Sequence, residues 1–241
     1  MTGRLDWLPT VLRAAGLTVV EHDGWGTRGK ATIAPKWQVF HHTASSRRGG
    51  DAPSLGTVIG GRPDVPGPLC NVLVGRDGTM HVIAAGTANH AGRGHYPDGT
   101  TGNRLSVGWE CENDGIGEPW PEHQLDAIAR GMAAVGNRLG LPAGHVIGHK
   151  EFAPGRKPDP TGIDMAAWRR RVAAIGTTPA PPVHQEDDDM TPEQAKQLAS
   201  AETHAAAADL RCQALEQRLA TQDAKIERVL ASLKRIEAAG R

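Results

Sequence analysis

A disulfide framework, a membrane span and an excess of charge are all missing from this chain. Its 241 residues include only three cysteines, Cys70, Cys111 and Cys212, widely spaced and odd in number. That argues against a disulfide scaffold and for synthesis in a reducing compartment. Formal net charge is +0, so there is no electrostatic case for nucleic acid as a partner. No run is long and apolar enough for membrane insertion. The opening residues, Met1-Thr2-Gly3-Arg4-Leu5-Asp6-Trp7, lack the basic and apolar regions of a signal peptide. The expectation is synthesis in the cytoplasm, with any work outside depending on a separate release route. One further lack is local. From Met190 onward no glycine appears before Gly240, and the only proline is Pro192.

What is present is enough chain for one domain plus something extra, and eleven histidines that cluster. The most informative stretch runs from Gly148 to Pro160, Gly-His-Lys-Glu-Phe-Ala-Pro-Gly-Arg-Lys-Pro-Asp-Pro. Pro154, Gly155 and Pro158 keep it out of regular structure, so it can fold back and aim His149, Lys157 and Asp159 at one point. His145-Val146-Ile147-Gly148 reads as a short buried strand, which places His149 where a strand gives way to a loop. Imidazole and carboxylate are good zinc ligands, and a catalytic zinc takes three protein ligands plus water. The loop offers two, and Val39-Phe40-His41-His42-Thr43-Ala44 offers a third. The competing reading is a surface loop with ordinary charges.

Local patterning fills in the rest. Leu5 to Ala15 reads as a helix with Leu8, Val11 and Leu12 on one face, stopped by Gly16. Strands are expected over 17–21, 37–41, 70–75, 79–83 and 105–111, with Arg76-Asp77-Gly78 closing a hairpin between the third and fourth. On the second strand His41 and His42 face opposite sides, so only one can meet the loop ligands. On the last, Glu110 and Glu112 share a face and Cys111 takes the other; a carboxylate there can be a general base or simply solvated. The segment 47–68 reads as irregular. The Gly-rich loop 86–102 carries Asn89 and His90, which can hold a polar substrate or satisfy the loop's own backbone. Leu125, Ile128, Met132, Val135 and Leu139 mark a core-facing helix over 121–139 that ends at Gly140, and Asp164 caps another through Ile175.

Residues 177–189 combine prolines with the acidic run Glu186-Asp187-Asp188-Asp189, a linker composition. Beyond it, Leu198, Ala201, Ala205, Ala208, Cys212, Leu215, Leu219, Gln222, Ile226, Val229, Leu233 and Ile236 step by three and four. This heptad seam predicts a coiled coil and self-association through residues 198–236. The alternative is one amphipathic helix packed back on the first domain.

The loop 149–160, taken with His41-His42-Thr43, closely resembles the zinc-dependent N-acetylmuramoyl-L-alanine amidases, relatives of the peptidoglycan recognition proteins. The segments Cys70-Asn71-Val72-Leu73-Val74-Gly75-Arg76-Asp77-Gly78, Ala88-Asn89-His90-Ala91-Gly92 and Ser106-Val107-Gly108-Trp109-Glu110 match in the same order, so the resemblance covers about residues 1–176. Gly24-Trp25 and Asn89-His90-Ala91-Gly92 resemble endolysins of phages that infect actinobacteria. The resemblance implies an α/β fold, a central mixed β-sheet flanked by helices, followed here by the linker and the helical coiled coil. The expected domains are a zinc amidase domain over 1–176, a linker over 177–189 and an oligomerisation tail over 190–241.

The same resemblance implies zinc held by His41, His149 and Asp159, with Glu110 activating water, Lys157 stabilising the transition state, and Asn89 and His90 holding substrate. The branch related to animal recognition proteins has a cysteine where this chain has Asp159 and a tyrosine near Cys70. This chain therefore sides with the Asp-ligand, Glu-base branch, and Cys70 and His42 are left without a role. The implied reaction is hydrolysis of the amide between N-acetylmuramic acid and L-alanine of peptidoglycan, with release from the host cytoplasm through a holin. Three rivals are a non-catalytic wall-binding module, a cysteine hydrolase using Cys70 or Cys111, and an intracellular wall-recycling amidase. A shorter tail product starting at Met190 is also expected, because Gln185-Glu186-Asp187 can be encoded by codons resembling a ribosome-binding site.

Overall fold

The computed structural model describes residues 3–30 and 32–176. The linker over 177–189 and the heptad seam lie outside the described residues. In chain order come α1 (Leu8–Ala14), β1 (Val19–Glu21), β2 (Trp37–His42), α2 (Leu55–Gly60), β3 (Gly61–Arg62), β4 (Val65–Pro66), β5 (Val72–Val74), β6 (Met80–Val82), β7 (Ser106–Cys111), α3 (Glu122–Leu139), β8 (Val146–Gly148), α4 (His149–Phe152) and α5 (Met165–Gly176). Among the described residues no helix is long and apolar enough to cross a membrane.

Six strands form one mixed sheet in the order β1-β6-β5-β7-β2-β8. Only β5 and β6 pair antiparallel, because the Arg76-Asp77-Gly78 turn joins them directly; Asp77 Oδ1 accepts the Thr79 N–H at 2.9 Å and closes it. The other pairings are parallel. The strands alternate as their sequences require. Phe40, Trp109, Val72, Val74, Met80 and Val82 point to one face, where α1, α3 and α5 lay down Leu8, Leu12, Ile128, Met132, Trp168 and Val172. Gly131 lets α3 come this close: a Cβ there would stand 3.1 Å from the Trp109 ring. Two polar groups cross this apolar layer without loss, since Gln38 accepts from Trp109 Nε1 at 3.0 Å and donates to the Met132 carbonyl at 2.9 Å. Ile128 is fully buried in the middle of this packing. Its replacement by alanine is expected to cost about 2–5 kcal/mol of stability, read as a lower urea midpoint at unchanged slope.

Asp164 caps α5 as its sequence implies, its Oδ1 accepting from Ala166 N and Ala167 N at 2.8 and 2.9 Å. Two expectations are corrected. The segment 47–68 is not wholly irregular: it holds α2 and the small β3–β4 ladder. Its Gly and Pro content hid them, but Val58 is buried with Leu69, Leu73 and Ile83 in a core of its own. The second correction concerns His149, which opens a one-turn helix rather than a loop. Glu151 explains it, because its carboxylate reaches back to accept the Gly148 N–H at 2.9 Å and secures the turn before Pro154 stops it.

Candidate active site

The face of the sheet away from α1, α3 and α5 is covered by α2, α4 and irregular chain. Here the carboxyl ends of the parallel strands β7, β2 and β8 come together, the end of an α/β sheet where ligands are usually met. The register of β2 on β7 sets His41 beside Glu110. Strand β8 ends at Gly148 and delivers His149 to the same place.

His41, His149 and Asp159 are all buried, and one ligand atom from each lies within 4.8 Å of the others. The two Nδ1 atoms are 2.9 Å apart, and Asp159 Oδ2 is 3.1 Å from His41 Nδ1 and 2.9 Å from His149 Nδ1. His149 Nε2 lies 2.8 Å from the Ala91 carbonyl oxygen, which can only accept. The proton of that ring is therefore on Nε2, and its Nδ1 presents a lone pair. Packed at hydrogen-bond distance and shielded from water, the His149 lone pair and the carboxylate oxygen need a positive centre beside them, either a proton on His41 Nδ1 or a metal cation. The donor set of two imidazoles and one carboxylate suits zinc. Burial pushes the His41 imidazole down to about 4, against the raising effect of its Asp159 contact, so it is neutral at pH 7 as a ligand must be. Burial alone would raise the Asp159 carboxyl, but the two imidazoles packed against it outweigh that and hold it below the usual carboxylate range.

Glu110 of β7 and Glu112, just past its end, have opposite surroundings. Glu112 is fully buried and saturated: Thr43 Oγ1 donates at 2.7 Å, Ser54 N at 2.8 Å and Ser54 Oγ at 3.1 Å, with Ser45 Oγ closer still. It ties the segment after β2 to the sheet. Glu110 Oε2, by contrast, is buried with no hydrogen-bond partner. Burial pushes its carboxyl well above the usual range and Asp159 adds to that, while the Lys157 charge pulls it down. Glu110, Asp159 and Lys157 thus act on one another through space, and Glu110 keeps a free oxygen for a proton.

The remaining candidates separate. His42 points to the other side of the strand, where its Nδ1 accepts the Thr161 N–H at 3.1 Å. Asn89 is half-buried and spends its amide on the Pro66 carbonyl at 2.9 Å. His90 is buried, with Nδ1 3.0 Å from His41 Nε2 and Nε2 3.1 Å from Ser106 Oγ. Both of its ring nitrogens have partners within the protein. Cys70 and Cys111 are buried thiols pushed well above their ordinary pKa by that burial and by nearby glutamates, a poor setting for a thiolate nucleophile. Reasoning from sequence missed Ser106, Tyr96 and the Ala91 carbonyl as supports of the cluster. The only signal for them was an unusual density of histidine around a Gly-rich loop.

A family model described as N-acetylmuramoyl-L-alanine amidase matches residues 31–162. No curated protein matches the chain. Solved structures similar to it include AmpD (22% identical, covering 64% of this chain and 93% of that one, TM-score 0.49). Another is the endolysin N-acetylmuramoyl-L-alanine amidase LysCS of Clostridium intestinale (14%, 64% and 95%, TM-score 0.48). A third is AmiD of E. coli, solved with anhydro-N-acetylmuramic acid-L-Ala-D-gamma-Glu-L-Lys (24%, 61% and 61%, TM-score 0.46).

Proposed function

Because the chain belongs to the N-acetylmuramoyl-L-alanine amidase family, we propose that it is an endolysin that cuts the amide between N-acetylmuramic acid and L-alanine in the bacterial wall. The observation that carries the chemistry is the unpartnered Glu110 oxygen beside a buried His-His-Asp cluster. In this reading His41, His149 and Asp159 hold zinc. Bound there, zinc would lower the pKa of a water to about 7 and polarise the scissile carbonyl.

The chain's own side chains supply the rest. Glu110 takes a proton from the attacking water and passes it to the departing nitrogen. The elevated pKa of its carboxyl suits both halves of that transfer. Lys157 offsets the negative charge that develops on the carbonyl oxygen. The C–N bond breaks, oxygen from water stays on the lactyl carbon, and L-alanine leaves with a free amino terminus. Glu112 takes no part, because each of its oxygens is occupied by the segment it anchors.

The endolysin role rests on the phage-like segments Gly24-Trp25 and Asn89-His90-Ala91-Gly92, and on a tail built differently from the first 176 residues. Residues 177–189 would tether the catalytic domain to an oligomer formed through 198–236, which gains avidity for a polymeric substrate. A tail product from Met190 would join that assembly, and a holin would admit it to the wall. The test compares purified full chain on intact sacculi and on soluble muropeptides. Faster cleavage of sacculi, with light scattering showing more than one chain, supports the endolysin. Preference for soluble fragments by a monomer would make it a recycling amidase instead.

A further inference from the structure

Behind His41 runs a file of polar groups that the reaction itself does not use. His41 Nε2 meets His90 Nδ1 at 3.0 Å, His90 Nε2 meets Ser106 Oγ at 3.1 Å, Ser106 Oγ meets Tyr96 Oη at 2.7 Å, and Tyr96 Oη meets the Gly102 carbonyl at 3.1 Å. The far end decides the direction of the whole file. A carbonyl oxygen has no proton, so the single Tyr96 hydroxyl proton goes to Gly102. Ser106 must then donate to Tyr96, which leaves a Ser106 lone pair for His90 Nε2–H. With His41 Nδ1 facing the metal site, the proton of the His41 ring is on Nε2, and the His90 Nδ1 that meets it at 3.0 Å is the acceptor. Running the protons the other way would set Tyr96 and Gly102 oxygen against oxygen with nothing between them.

We propose that His90, backed by Ser106 and Tyr96, is a positioning residue that fixes the tautomer of His41, so that the His41 Nδ1 lone pair is presented to a metal. The inference rests on the reading of His41 as a metal ligand. Without His90, the buried His41 Nε2–H has no acceptor, and the ring does better with its proton on Nδ1, donating to Asp159. That tautomer cannot bind metal through Nδ1. Hydrogen-bonding partners behind a ligating histidine characteristically set its tautomer and basicity.

The fold is shaped around this arrangement. Gly108 of β7 lies under the His90 ring, and a Cβ there would come within 2.5 Å of it. Tyr96 is packed between Trp37, with ring centroids 5.6 Å apart, and Phe152 at 4.8 Å, so the end of the file that sets the direction is rigid. His149, whose Nε2 is held by Ala91 one residue on from His90, is oriented by the same loop.

The test measures zinc affinity of the full chain by competition with a chromophoric chelator, together with the visible absorption of the cobalt-loaded protein. His90→Leu removes the acceptor and should weaken zinc binding about tenfold to a hundredfold and alter the cobalt spectrum. His90→Asn places its Oδ1 where Nδ1 was and should recover most of the affinity. Gly108→Ala, which displaces the ring without touching its chemistry, and Ser106→Ala should both weaken binding, and they carry the test if His90→Leu fails to fold. A wild-type chain that takes up no zinc overturns the metal reading and the inference with it. A wild type that binds zinc while His90→Leu and Gly108→Ala bind equally well overturns the inference alone. So does an Asn variant as weak as the Leu variant, because that would make His90 a packing residue.

Discussion

Replacing Glu110 by glutamine is expected to lower kcat about 10²- to 10⁴-fold, the usual worth of a positioned acid–base group, with zinc affinity little changed. Glutamine keeps the shape and fills the same space beside His41 on the sheet, so a large kcat effect at constant metal content isolates the proton transfer. The pH profile gives the sign. Glu110 must be ionised to accept a proton, so activity is lost as pH falls through its pKa. Burial and Asp159 raise that pKa, and the Lys157 charge lowers it. Lys157→Ala should therefore move the acid limb of the kcat profile to higher pH, besides lowering kcat through the loss of charge at the carbonyl oxygen. A limb that stays in place would show that Lys157 does not act on Glu110.

The second large effect is expected at Asp159. Asp159→Ala removes the only carboxylate among the three clustered ligand atoms and leaves two imidazoles that cannot together hold a catalytic zinc. Activity should fall to the level of the chelated wild type, and zinc add-back should not restore it. The fold should survive, because Asp159 contributes no apolar packing and the helical face of the sheet does not depend on it. The apo protein gives a further check. With the carboxylate gone, the buried His41 loses the contact that raises its pKa, so Asp159→Ala should bind a proton less readily at that ring than the wild-type apo form. A variant with full activity would remove Asp159 from the metal site.

How much of this was legible in the sequence varied by the kind of signal. The sheet and its helices follow from alternation and from the 125–128–132–135–139 stripe, which is local information. The convergence of His41, His149 and Asp159 was open to sequence reasoning in part: His149 and Asp159 sit within ten residues of each other, the strand period says only that His41 or His42 can join them, and the family resemblance picked His41. The choice between Glu110 and Glu112 was not legible from patterning. They share a face, and what separates them is the set of hydroxyls from Thr43, Ser45 and Ser54, brought in by a segment whose path no periodicity reveals. The setting of His90 was hidden for a similar reason. In a Gly-rich loop nothing says whether a histidine points out or in, and the space it fills exists only because residue 108, on another strand, is glycine. The helices α2 and α4 escaped notice because they are one or two turns long and their stability comes from buried Val58 and Phe152 and from the Glu151 cap rather than from propensity.

The most direct test of the account is cleavage of purified peptidoglycan followed by mass spectrometry, with chelator and then zinc added back. The account predicts new L-alanine amino termini and free lactyl carboxyl groups, lost with chelator and regained with zinc. Cleavage indifferent to chelation, or none from a chain shown to carry one zinc, would contradict it.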